Sequence, residues 1–138
     1  MGDQSRRTAV LVVTTAGSFT APFLTAAVNI ALPAIQASFS LTAVALSWVS
    51  LVYLLAVAAS LVPFAKVADR IGRKRVYAVS WVVVAAGSVA AVLAPTAAVL
   101  YVARVVQGLG AGMSFATSPA IVTAVFPPQQ RGKALGIN

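Results

Sequence analysis

The sequence predicts an all-α membrane protein with four transmembrane helices and the start of a fifth. Of its 138 residues, 60% are hydrophobic and only 9% are charged, with a mean hydropathy of +0.95. Soluble domains run nearer a quarter charged, and this chain lacks the charge to coat a globule. Four long stretches carry no charge at all. The ten basic residues, against two acids, sit almost wholly in short clusters between those stretches.

The uncharged stretches run Thr8 to Ile35, Leu41 to Ala65, Val76 to Ala103 and Val105 to Gln130. About 20 helical residues cross a hydrocarbon core of about 30 Å, so each is long enough. None shows the charged face of an amphipathic soluble helix. Pro33 and Ser38-Phe39-Ser40 mark the end of the first span. Ala94-Pro95-Thr96 is a turn signal, and the stretch from Val76 to Phe126 is too long for one crossing, so the chain doubles back there. Pro127-Pro128 stops the fourth span. The spans are expected at about 9–33, 44–65, 76–94 and 98–126, with charged loops at about 66–75 and 127–135.

Charge orients the chain. Arg6 and Arg7 precede the first span, Lys66, Arg70, Arg73, Lys74 and Arg75 separate the second from the third, and Arg131 and Lys133 follow the fourth. The other two connections hold no Lys or Arg. Basic residues stay on the cytoplasmic side, so a multi-pass protein of the plasma (inner) membrane with a cytoplasmic N-terminus is expected. The bilayer, not nucleic acid, is then the partner behind the net charge of +8. An enzyme is disfavoured. Without His, Cys or Glu, and with Asp3 and Asp69 far apart, the chain offers no carboxylate pair, nucleophile–His arrangement or metal cluster. Nothing calls for a cofactor.

Polar residues inside the spans point to function. An Arg at mid-membrane costs roughly 2.5–3.5 kcal/mol on insertion scales, so Arg104 is expected to face the protein interior, with snorkelling to the interface as the alternative. At about 100° per residue, Thr14, Ser18, Thr25 and Asn29 share one side of the first span, as Arg104, Gln107, Ser114 and Ser118 do on the fourth. Such stripes face protein or a water-filled path. Thr14, Ser18 and Ser114 suit hydrogen bonds between helices. Thr25, Asn29, Arg104 and Gln107 are the candidates for lining a substrate cavity. Spans two and three show no comparable stripe. Gly108 and Gly112 have the small-xxx-small spacing that lets another helix approach closely.

Several motifs identify a family. Asp69-Arg70-Ile71-Gly72-Arg73-Lys74-Arg75 resembles the signature loop between spans two and three of the major facilitator superfamily, G-x-x-x-D-R-x-G-R-R/K-R/K. Val28-Asn29-Ile30-Ala31-Leu32-Pro33 resembles the V-N-V-A-L-P of the fourteen-span drug–proton antiporters. Ser47-Trp48-Val49 with Tyr53-Leu54-Leu55-Ala56 is similar to their W-V-x-x-x-Y-L-L-A. Arg104-Val105-Val106-Gln107-Gly108-Leu109-Gly110-Ala111 is similar to their R-x-x-Q-G-x-G-A. Phe126-Pro127-Pro128 through Gly136 resembles the F-P-x-x-x-R-G-x-A-L-G that opens span five.

The resemblance implies the N-terminal part of a six-helix half, in which spans one and four line the substrate path. It implies that Arg104 assists proton transfer and that Asp69, Arg70, Gly72 and Arg73 form a latch between the transporter's halves. It implies a small-molecule substrate and protons as partners, and alternating access as the mechanism. Two positions depart from the family pattern. Ala65 stands for the first Gly of the loop motif, and Leu24 stands where the branch often has an Asp, so a proton carrier is expected beyond residue 138. A complete transporter needs roughly 400 residues at about 30 per span and loop, so the chain is expected to be an N-terminal piece that needs the remainder for function. Proton-coupled multidrug-type efflux is the leading expectation. A transporter of one defined metabolite and a non-transporting four-span module are the alternatives.

Overall fold

The computed structural model describes residues 3–138, all in helices and short connections. Five helices follow in order: α1 (Asp3–Phe39), α2 (Ala43–Ile71), α3 (Arg73–Val92), α4 (Ala97–Val125) and α5 (Pro128–Ile137). The first four are long and apolar enough to cross a membrane. In a bilayer every backbone polar group must be satisfied internally, and the helix does this within one segment.

The connections are short and chemically explicit. Ser40, with φ 50°, ends α1. The Thr42 hydroxyl then accepts from the Ala45 N–H at 3.2 Å and caps α2. Thr96 caps α4 in the same way through the Val99 N–H at 3.4 Å. Pro128 sits in the first turn of α5, where its missing N–H is no loss.

Three expected boundaries are corrected. The region 66–75 is not a loop. Helix α2 runs on to Ile71 and α3 starts at Arg73, with only Gly72 between them at φ +106°. Lys, Arg and Ala are strong helix formers, so the charges mark where the membrane ends and not where the helix ends. The same reason makes most of 127–135 helical, as α5. Pro33 lies inside α1, which continues to Phe39. A proline removes one backbone donor, and a helix in an apolar phase, where an open backbone has no solvent partner, continues around it. Pro22, Pro63 and Pro119 are likewise internal to their helices.

Helix α4 is the centre of the bundle. In its most apolar stretch 56% of residues are buried, against 17–28% in the other three. It packs mainly between α2 and α3, with α1 more loosely applied. Glycine makes this close approach possible on two opposite faces. A Cβ on Gly108 would meet the Tyr53 carbonyl and Ala56 of α2, and one on Gly112 would meet the Ser60 hydroxyl and the Val57 carbonyl of α2. Gly110, two residues out of phase, faces α3, where a Cβ would lie 2.9 Å from the Ser80 carbonyl oxygen and 2.9 Å from the Val84 nitrogen. Lipid is as apolar as these side chains, so dense packing rather than hydrophobic burial holds the helices together. Large side chains such as Ile30 and Val92 accordingly point outward, 83% and 85% exposed.

Many hydroxyls are satisfied within their own helix. Thr14 donates to the Val10 carbonyl at 2.9 Å, Thr25 to Ala21 at 3.0 Å and Thr117 to Met113 at 2.8 Å. For Thr14 this replaces the interhelical bond expected from sequence. Two tyrosines add ties across helices. Tyr77 of α3 donates to the Val13 carbonyl of α1 at 3.1 Å, and Tyr101 of α4 to the Ala45 carbonyl of α2 at 2.8 Å.

Candidate functional site

Arg104 is 1% exposed, so its head group does not snorkel outward. Its Nε donates to the Val49 carbonyl of α2 at 3.1 Å, and its Nη1 donates to Gln107 Oε1 at 2.9 Å. The guanidinium also lies over the Tyr53 ring of α2, 4.4 Å from its centroid, in cation–π geometry. Val49 and Tyr53 are one helical turn apart, so one face of α2 supplies both contacts. Gln107 passes the chain on, its Nε2 donating to Ser88 Oγ of α3 at 2.9 Å. A full positive charge is thus held by a carbonyl, an amide and a ring, all neutral. Among the described side chains the one carboxylate, Asp69, lies near the end of α2, far along the sequence from it.

This assembly forms part of the wall of a cavity of about 590 Å³ between α1, α3 and α4, where Arg104, Gln107 and Ser88 meet apolar side chains such as Leu24, Val28 and Leu100. Leu24 and Gln107 also border a second, enclosed space of about 10 Å³, walled by Tyr53, Trp81 and Phe115. That space is at the lower limit for one water.

The structure therefore brings Arg104 and Gln107 together on the cavity wall and leaves two other candidates off it. Asn29 is exposed and turned to α2, where Ser50 Oγ donates to its Oδ1 at 3.4 Å. Thr25 is bonded back to its own helix. The lining of the large cavity includes neither. Helical arithmetic relates residues on one helix to one another, but which side turns inward depends on how that helix is packed. Sequence reasoning missed Ser88, Tyr53 and the Val49 carbonyl. The spacing of Val49 and Tyr53 was the available signal for the last two; a single Ser among Val and Ala gave none for the first.

At the other end of the bundle, Arg73 Nε and Nη2 both reach Asp69 Oδ1, at 3.1 and 3.0 Å, across the Gly72 break. Arg73 Nη1 donates further to the Ala120 carbonyl of α4 at 3.3 Å. Asp69 and Arg73 thereby tie the α2–α3 turn to α4. Arg70 and Gly72 lie in the same turn and, with Lys74 and Arg75, line an open groove of about 600 Å³ whose apolar side is Ile121 and Val125.

The family model of the Major Facilitator Superfamily matches residues 14–138. The chain belongs to this superfamily. The superfamily is one of transporters, not enzymes. The chain is 43% identical over 111 residues to multidrug resistance protein Stp of Mycobacterium tuberculosis, covering 80% of this chain and 21% of that protein. It is 32% identical over 129 residues to the riboflavin transporter RibZ of Clostridioides difficile, covering 94% and 28%. It is 33% identical over 137 residues to a puromycin resistance protein of Streptomyces alboniger, covering 99% and 27%. The chain thus spans between 21% and 28% of the length of these relatives. No solved structure matches it. The four long apolar helices and the family together make this a multi-pass membrane protein in a lipid bilayer.

Proposed function

We propose that the chain is the opening part of a major-facilitator exporter of the fourteen-span drug–proton type, moving small, largely apolar or cationic molecules by alternating access. The observation that carries this reading is the buried Arg104 on a cavity wall between the long apolar helices, held among the described residues by neutral groups. Burying an ion without a counter-ion is costly, and ionisable residues inside membrane segments mark functional paths. An unneutralised guanidinium favours the deprotonated form of any carboxylate brought near it. That is what a proton-coupled site requires, with the carboxylate supplied from outside these residues. Two relatives named for multidrug and puromycin resistance support the exporting direction.

In this reading the N-terminus is cytoplasmic and the membrane is the plasma (inner) membrane, as the nine basic residues on one side argue. The Asp69–Arg73 pair, exposed to water, is the latch. It closes against α4 in one state and releases in the other, as surface ion pairs of low net strength can do. The remainder of the transporter supplies the opposing half of the path.

The test is accumulation of a fluorescent cation such as ethidium in efflux-deficient bacteria expressing the full-length transporter. Low accumulation that rises when a protonophore collapses the gradient is expected. Accumulation equal to that of empty-vector cells, with the protein present in the membrane, contradicts the reading. The relative RibZ, matched over 94% of this chain, favours a second reading: a carrier of one defined metabolite. Saturable uptake or release of riboflavin without any effect on ethidium would select it.

A further inference from the structure

The direction of each hydrogen bond linking Arg104, Gln107 and Ser88 can be assigned. Ser88 Oγ lies 2.8 Å from the Val84 carbonyl, which can only accept, so the serine donates its single proton there. The serine oxygen is left as an acceptor toward Gln107 Nε2, 2.9 Å away. The donor-only guanidinium takes the Gln107 oxygen at Nη1, and the serine acceptor suits the amide's other end. The flipped amide would set NH₂ against the guanidinium and oxygen against oxygen at Ser88, so the two ends of the amide agree on one orientation. Gln107 is buried, and an unsatisfied donor there is costly. Backbone contact reinforces the arrangement. Gly87, next to Ser88, lets α3 approach so closely that a Cβ would lie 2.7 Å from Gln107 Cγ and 2.8 Å from its backbone nitrogen.

We infer that Ser88 is a positioning residue for Arg104, acting through Gln107: the guanidinium selects the amide oxygen, and Ser88 anchors the opposite, Nε2 end, so that the side chain, and with it the charge on the cavity wall, is held in one place. The transport part of this inference rests on the exporter reading; the geometric part does not. Helix α3, which carries no polar stripe, then contributes one hydroxyl to the site. Without that hydroxyl the amide is held at its oxygen end alone and its buried NH₂ loses its acceptor, so the Gln107 side chain can swing and the guanidinium is steadied only by the Val49 carbonyl and the Tyr53 ring.

The test compares Ser88→Thr with Ser88→Val in the full-length transporter. These two side chains share a shape and differ in the hydroxyl. The Ser88 side chain borders the cavity, where an added methyl has room. A β-branched hydroxyl makes the same bond to the carbonyl four residues back. The first readout needs no transport: the rate at which phenylglyoxal modifies Arg104, followed by peptide mass spectrometry in reconstituted membranes. Ser88→Val is expected to raise that rate about three- to tenfold while Ser88→Thr stays near wild type. The second readout is the pH profile of gradient-driven efflux, which Ser88→Val should displace and Ser88→Thr restore. Ser88→Ala, the smallest change, serves in place of valine should Ser88→Val not reach the membrane. Equal Arg104 reactivity in the threonine variant and in the hydroxyl-less variants overturns the inference. Absent efflux by the wild type removes the exporter reading and leaves the reactivity comparison decisive.

Discussion

Arg104 and Arg73 are chemically identical and are treated in opposite ways. Arg104 is 1% exposed, has no carboxylate partner among the described residues and rests on a carbonyl, an amide and an aromatic face. The Arg73 side chain is 45% exposed and pairs with Asp69, which is 62% exposed. Water and a carboxylate make the second arrangement easy to break and remake, because an exposed pair contributes about 0–1 kcal/mol. The first is embedded among three helices, and disturbing it leaves a charge without solvent. One end of the bundle is therefore suited to switching and the middle to holding a charge in place. The glycine seam along α4 is what permits that middle to be so dense.

The seam is the place where a single change should do the most damage. Gly112→Leu would drive a side chain into Ser60 and the Val57 carbonyl. Overpacking of this kind costs typically 1–3 kcal/mol and occasionally more, and backbone on the facing helix cannot step aside. We expect about 3 kcal/mol or more, read as loss of monodisperse protein in size-exclusion chromatography and a large fall in thermal midpoint. A well-folded Gly112→Leu variant would mean that α4 does not touch α2 as described. Next comes Gly72→Ala. A Cβ there meets no atom, but φ +106° is strained for any side chain. The expected destabilisation is about 1–3 kcal/mol, measurable by the same thermal shift without loss of monodispersity. No shift at all would show that the turn relaxes freely. The smallest expected stability effect is that of Asp69→Asn, below about 1 kcal/mol. Expression should be near normal, while exchange between inward- and outward-open states, followed by a distance label, should change clearly. Unaltered exchange would remove the latch and erase the functional contrast between the two arginines.

Much of this architecture could be read from one dimension. The lengths of uncharged runs and the placement of Lys and Arg are linear properties, and crossing a bilayer is nearly a linear problem. Arg104 and Gln107 were legible because they are three residues apart on one helix, hence neighbours whatever the tertiary structure. Ser88 was not, because its importance comes from the rotation of α3 against α4. Asn29 and Thr25 share a side of α1, but how that side faces the bundle was not legible: the Asn29 side chain meets Ser50 of α2, and the Thr25 hydroxyl bonds the Ala21 carbonyl of its own helix. The charged region 66–75 was read as a loop because charge was equated with the end of a helix. In a membrane protein it signals the end of the lipid, and only Gly72, with its positive φ, signals the end of the helix.

The claim on which the rest depends is that Arg104 is retained for its charge and not for its packing. Arg104→Gln keeps a polar side chain able to reach Gln107 or the Val49 carbonyl but removes the charge. In proteoliposomes holding the full-length transporter, an imposed pH gradient should drive efflux by the wild type and at least about tenfold less by Arg104→Gln, a barrier change of about 1.4 kcal/mol or more, with folding verified by thermal midpoint. Gradient-driven efflux at the wild-type rate in the folded Arg104→Gln variant would contradict the account.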